Sequence, residues 1–307
     1  MQDRKVPWQR RVWSCIRASA KLARMENKTK QVVVLGGTGK TGRRVASRLV
    51  AQGVPVRVAS RSGSPPFEWS EPSTWPALLQ GAHAVYVAYH PDLAAPGAAD
   101  VLRNLGQVAD ACGVRRIVLL SGRGEPQARV SEDAMRESGV DLTILRAAWF
   151  AQNFSEGAFR DAVVQGEIAL PGPGSVGEPF VDVEDVADVA AVALLDDAHV
   201  GRVWELTGPR LVTLDEVAAI LASVAGRPVR YVPTTKEEFT RALAEAIGGE
   251  YATFLGELFT FLLDGHNAFC TDHVERVLGR KPREFRAYAT AAAASGAWEL
   301  SPDRVRS

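Results

Sequence analysis

Between residues 31 and about 210, short runs of valine, isoleucine and leucine alternate with longer stretches in which apolar residues recur every three or four positions. Short runs without polar alternation read as strands covered on both faces, and the helical spacing between them reads as crossovers joining parallel neighbours. The pattern predicts strands at 31–35, 54–59, 83–88, 116–120 and 142–145, with a short extra strand at 67–69. Helices are expected at 40–52, at 73–80 with Ser73 as its cap, and at 98–112 with Gly113 as its stop. Further along, residues 172–177 read as a flexible glycine-rich loop, and 183–195 as an alanine-rich helix. Residues 213–225 form another helix, ended by Gly226 and Pro228. From Lys236 onward the spacing is helical throughout. Phe254, Leu255, Leu258, Phe259 and Leu262 share one face there, read by default as core and alternatively as a pocket roof or subunit contact.

This order predicts the α/β class: a Rossmann-type, doubly wound parallel sheet with a smaller, mainly helical C-terminal substrate lobe. The expected organisation is a basic extension over 1–30, the nucleotide-binding core over 31–165, a mixed segment over 166–300 that completes the sheet and forms the lobe, and a tail over 301–307.

Composition narrows the partners. The 307 residues are 46% hydrophobic and 23% charged, and 36 Lys/Arg balance 36 Asp/Glu. A chain without a net basic field does not point to nucleic acid or an anionic membrane, so a small hydrophobic molecule is the expected partner. The first 30 residues are basic, yet contain no apolar run of secretory or membrane-spanning length; they are read as a disordered extension or an early start before Met25. Cys15, Cys112 and Cys270 are too far apart for a metal site or a disulfide framework, which fits a reduced, cytoplasmic protein.

The candidate chemistry begins at Gly36-Gly37-Thr38-Gly39-Lys40-Thr41-Gly42. Glycines between a buried strand and a helix let a pyrophosphate approach the backbone, and the helix N-terminus offers free N–H groups to the phosphates. A triphosphate-binding loop is excluded because Val34 stands where that motif needs glycine. The second strand runs out at Ser60 and Arg61, with no carboxylate before Glu68. An acidic residue there would bind a ribose 2′-hydroxyl and an arginine accommodates a 2′-phosphate, so NADP(H) is expected over NAD(H).

With the segments 35–42, 67–69, 113–121, 138–146, 150–154, 180–187 and 205–209 in this order, the chain resembles the NmrA-like branch of the atypical short-chain dehydrogenase/reductases over about residues 31–295. That resemblance implies an NADPH-dependent reductase of quinone-like acceptors, or a redox-sensing regulator that binds the cofactor without turnover; an isomerase or epimerase with tightly held NAD(P) is a third reading. The wider superfamily's Tyr-x-x-x-Lys pair is missing: no tyrosine or lysine lies between 121 and 140. Hydride transfer to a flat, strongly accepting ring does not require that pair.

The cleft beyond the strand C-termini should be lined by Ala88, Tyr89 and His90, by Ser121 and Gly122, and by Ala147–Phe150. Tyr89, His90 and Ser121 are the candidate catalytic residues, and Tyr89, Trp149, Phe150, Asn153 and Phe154 the candidate substrate contacts. Ala88, Ser121, Ala147 and Phe150 are also expected beside the cofactor. The resemblance assigns Gln152 and Asn153 to holding the backbone there. Arg129 and Glu132 occupy the missing pair's region, Glu132 being read as solvent-facing. The acidic group Asp182, Glu184, Asp185 and Asp188 is read as helix capping rather than a metal site.

Overall fold

The computed structural model describes residues 30–157 and 159–299. The basic extension, apart from Lys30, and the 301–307 tail lie outside the described residues.

Apolar runs with no polar alternation become the centre of one sheet. Strands β1 (Val32–Leu35) and β3 (Ala84–Val87) are buried along their whole length, as the cover on both faces requires. Together with β2 (Val56–Val58), β4 (Arg116–Gly122), β5 (Asp141–Ala147) and β8 (Val203–Leu206), they form a six-stranded sheet in the order β2-β1-β3-β4-β5-β8. Every pairing is parallel. This is the expected Rossmann sheet, with β8 as an added edge.

Helices α1 (Lys40–Ala51) and α7 (Val183–Leu195) cover one face through Val45, Leu49, Val186 and Ala190. The other face is covered by α2 (Trp75–Leu79), α3 (Ala98–Ala111) and α4 (Pro126–Arg136) through Trp75, Leu79, Leu102, Leu105 and Met135.

Two local expectations are corrected. Residues 67–69 form no strand: the Phe67 N–H bonds back to Ser60 O at 3.0 Å, and the rings of Phe67, Trp69 and Trp75 pack together instead. Burial of three aromatic rings outweighs β-propensity. Ser73 does not cap α2 either, since it lies in a single 3₁₀ turn, Pro72–Thr74, and its hydroxyl bonds to Glu71.

A third apolar cluster builds the C-terminal lobe from α5 (Asn153–Glu156), α6 (Phe159–Gln165), β6 (Glu167–Pro171), α8 (Leu214–Ala225), β10 (Arg230–Thr234), α9 (Lys236–Ile247), α10 (Gly249–Leu262) and α12 (Phe285–Ala294). β6 and β10 pair in parallel, while β7 (Gly177–Glu178) and β9 (Val212–Thr213) pair antiparallel. Between α10 and α12 runs α11 (His273–Leu278), which packs on α7 and β8. Among the described residues no helix is long and apolar enough to cross a membrane.

Candidate functional site

The turn after β1 is built by glycine geometry. Gly36 sits at φ +74°, and a Cβ there would lie 2.5 Å from the Ala88 carbonyl at the end of β3. A side chain would force the two strand ends apart. Gly42, in the first turn of α1, would place a Cβ 2.3 Å from Gly36 O, so the helix can seat on the turn only with glycine there.

α1 opens on Gly39 with no side-chain cap and no acidic residue in its first turn. Its leading N–H groups and dipole therefore face outward unspent, next to exposed Thr38. Thr41 is buried beneath. Lys40 Nζ donates to Asn153 Oδ1 at 2.7 Å, tying α1 to α5; burial lowers its ammonium pKa, with nearby Glu156 opposing. At the end of β2, Ser60 is half-buried and Arg61 exposed. The cradle's shape and free donors fit a dinucleotide pyrophosphate.

Beyond the C-terminal ends of β4 and β5 lies a cavity of about 1000 Å³. Lys40, Tyr89, Ser121, Gly122, Ala147, Trp149, Phe150 and Asn153 contribute to its floor and near wall. Its far wall is the α10 face carrying Leu255, Leu258, Phe259 and Leu262. That face is thus cavity wall, not simply core, and Phe254 turns aside to stack on Tyr251.

Several expected roles change. His90 is exposed and does not line the cavity. Phe154 is fully buried among Trp149, Phe159, Phe180 and Phe285 and is a core residue, out of reach of a substrate. Glu132, expected toward solvent, is 0% exposed: it accepts from Ser121 Oγ at 2.7 Å and from Arg146 Nη2 at 2.6 Å. The Ser121 proton is thereby committed to Glu132, so the hydroxyl faces the cavity only as an acceptor. Tyr89 keeps its place at the cavity, held edge-on to Trp69 with ring centres 5.0 Å apart, and burial raises its phenol pKa.

Gln152 is buried and joins Asp182 at 2.6 Å to the Val183 N–H at 2.9 Å, fixing the start of α7. Asp182 caps that helix by accepting from the Glu184 N–H. Glu184, Asp185 and Asp188 pair with Arg44, Arg48, Arg280 and Arg283. The acidic group is thus consumed by capping and ion pairs.

Five acids of the cavity escaped sequence reasoning: Asp92, Glu125, Glu167, Glu178 and Glu238. Burial pushes Glu178 up to about 7, against the opposing Arg123 charge and the Trp149 N–H. Burial, then the charge of Asp92, pushes Glu125 up to about 8. Arg123 itself is buried and bonds the carbonyls of Asn267 and Phe269 at 2.9 and 3.1 Å, which closes this side of the cavity. Glu125 and Glu178 each stand in a Gly-Glu-Pro sequence, and Asp92 follows a proline, the composition of an ordinary solvated loop.

A parallel sheet with a glycine turn and an open helix N-terminus at its C-terminal edge defines the class of NAD(P)H-binding Rossmann proteins. The chain belongs to the NmrA-like family, whose profile matches residues 128–293, and an NAD(P)H-binding profile matches 36–197. It is 32% identical to an uncharacterized oxidoreductase of Bacillus subtilis, over 87% of this chain and 96% of that one. It is 31% identical to an NAD(P)H azoreductase of Xenophilus azovorans, over 86% and 98%. Among solved structures, the NADPH-dependent quinone oxidoreductase of Escherichia coli complexed with NADPH shares its fold with a TM-score of 0.68 at 21% identity, over 85% of this chain and 99% of that one. The protein is thus an NAD(P)H-binding member of an oxidoreductase family.

Proposed function

We propose that the protein is an NADPH-dependent oxidoreductase that reduces a hydrophobic, aromatic or quinone-like acceptor. The observation that carries this reading is the cavity of about 1000 Å³, walled by aromatic and aliphatic side chains and opening on the ends of β4 and β5. NADPH, when bound, supplies the hydride. Gly36–Gly42 and the α1 N-terminus hold the pyrophosphate, and Arg61 the 2′-phosphate. Lys40, fixed by Asn153, adds a positive charge at the cavity side of the cradle. Trp149 and Phe150 line the cavity and orient a flat acceptor by aromatic contact, and the α10 face excludes water. Relatives named as an NAD(P)H azoreductase and a quinone oxidoreductase support an aromatic acceptor.

Purified protein mixed with NADPH and a panel of quinones and azo dyes should lose the cofactor's near-ultraviolet absorbance only when an acceptor is present. Arg61→Ala should weaken NADPH binding about tenfold, the loss of one charge-assisted contact, and leave NADH binding unchanged. Cofactor binding without acceptor-dependent oxidation across the panel would replace this reading with that of a non-catalytic redox sensor.

A further inference from the structure

Reduction of a quinone or an azo bond needs a proton as well as a hydride, and of the side chains expected to give it Tyr89 lines the cavity with a phenol that burial makes a weaker acid than usual. His90 is exposed away from the cavity and the Ser121 proton is held by Glu132. Glu125 is differently situated. It stands three residues beyond the end of β4, is 9% exposed, and lines the cavity. Its Oε2 is buried with no hydrogen-bond partner among the described residues. The carboxyl lies directly over the last residue of β4: a Cβ built on Gly122 would fall 2.1 Å from Glu125 Oε1 and 2.5 Å from Oε2. Glycine at 122 is what admits the carboxyl to the edge of the sheet. An unpartnered buried acid is costly unless it serves a purpose, and a neutral one has a proton to give.

We propose that Glu125 is the proton donor of the reaction, handing its carboxyl hydrogen to the oxygen or nitrogen of the acceptor as the hydride arrives. This inference rests on the oxidoreductase reading given above. The hydride brings two electrons from the dihydronicotinamide, leaving the cofactor oxidised. The electron pair displaced within the acceptor settles on its oxygen or nitrogen. There the Glu125 O–H bond breaks and a new O–H or N–H bond forms. The carboxylate left behind takes a proton from water, so acceptor, NADPH and one proton become reduced acceptor and NADP⁺.

The surroundings keep Glu125 protonated near neutrality. Burial is the main cause, and Asp92, on the loop after β3, adds a like charge. Asp92 is held by the Ala94 N–H at 2.7 Å. The other titratable groups around the cavity are Tyr89 after β3, Lys40 on α1, Arg123 beside Glu125, Glu167 on β6, Glu178 on β7, Glu238 on α9 and Tyr251 on α10; His266, on the loop beyond α10, lies against Gly124. Tyr251 is itself raised by burial and by Asp92, so it stays neutral across the same range. Arg123 is engaged by backbone carbonyls and Glu205.

The test uses the full-length protein with NADPH and either a para-quinone or a cationic triarylmethane dye. The dye takes hydride at carbon and needs no proton. Glu125→Gln should lower kcat with the quinone roughly 100-fold, the low end of what a positioned acid contributes, while KM and NADPH affinity stay within about twofold. Wild-type kcat with the quinone should fall as pH rises past about 8, and this limb should vanish in Glu125→Gln and move to lower pH in Asp92→Asn. Dye reduction should be untouched by Glu125→Gln. Independently of turnover, infrared spectra of the wild type near neutral pH should show a protonated carboxylic acid band that Glu125→Gln diminishes, Glu178 supplying the remainder. Unchanged quinone turnover in Glu125→Gln, an alkaline limb that persists, equal loss with the dye, or no such band would overturn the assignment. If none of the acceptors makes the wild type oxidise NADPH, the oxidoreductase reading itself fails; wild-type turnover with an indifferent Glu125→Gln sinks only the role of Glu125.

Discussion

Glu125 ties chemistry to stability through its proton. Its folded-state pKa of about 8 lies above the ordinary glutamate value of 4.5, so the folded protein holds this proton more tightly than the unfolded chain. Between those two values the unfolded state binds fewer protons, and stability falls as pH rises; below 4.5 both states are protonated and the penalty is absent. Glu125→Gln removes the titration. Urea denaturation should therefore find the variant more stable than the wild type at pH 9, by an amount of order a few kcal/mol, with the difference shrinking toward pH 4. The residue's role was not legible in the sequence. Arg123-Gly124-Glu125-Pro126 has the composition of a solvated turn, and its surroundings come from the Asp92 loop and from His266 and Asn267, which meet it only in three dimensions. The glycine turn was legible because every determinant of it is local: buried strand, glycines, helix start.

At the level of elements, α1 and α7 are laced by alternating charges. Arg44 pairs with Glu156 and Glu184, and Arg48 with Glu184 and Asp188. Asp185 points the other way, fully buried, and receives the Arg283 N–H at 2.7 Å and the Arg283 and Arg280 guanidiniums. It pins the segment between α11 and α12 to the cofactor half. Asp185→Ala should cost about 2 kcal/mol, below the 3–5 kcal/mol of a fully buried pair because both guanidiniums are partly exposed and rehydrate. Hydrogen exchange should show the Arg283 amide losing protection first. The strands that carry the site were readable from their continuous valine and leucine runs. β8 was not read as a strand, since Val203-Trp204-Glu205-Leu206 is short and interrupted by charge. β6 and β10 were missed for a related reason: Glu167 and Arg230 mark their starts and proline falls within both, so only their mutual pairing makes them strands.

Across the whole molecule, the cavity depends on the far end of the described chain. Trp298 is 2% exposed, packs in the lobe core, and its Nε1–H bonds Phe154 O at 2.7 Å just behind Asn153. Trp298→Ala should destabilise by about 3–5 kcal/mol, as large-to-small changes in a core do. Its functional effect should be uneven: acceptor KM should rise at least tenfold, while NADPH affinity, measured by titration, changes by less than threefold. The cradle contacts at Gly36, Gly42 and Arg61 do not involve the lobe core.

The parallel pairing of β6 with β10 joins residues 63 apart in sequence, Glu167 to Arg230, and Trp298 then closes the packing beneath Phe154. A chain emerging from the ribosome delivers its N-terminal part first. The glycine turn, the end of β2 and strands β1–β5 are all made by residue 147, whereas the cavity wall waits for residues 230–298. The nascent protein therefore has the glycine turn of its NAD(P)H-binding half long before the wall of the cavity beyond it has been synthesised.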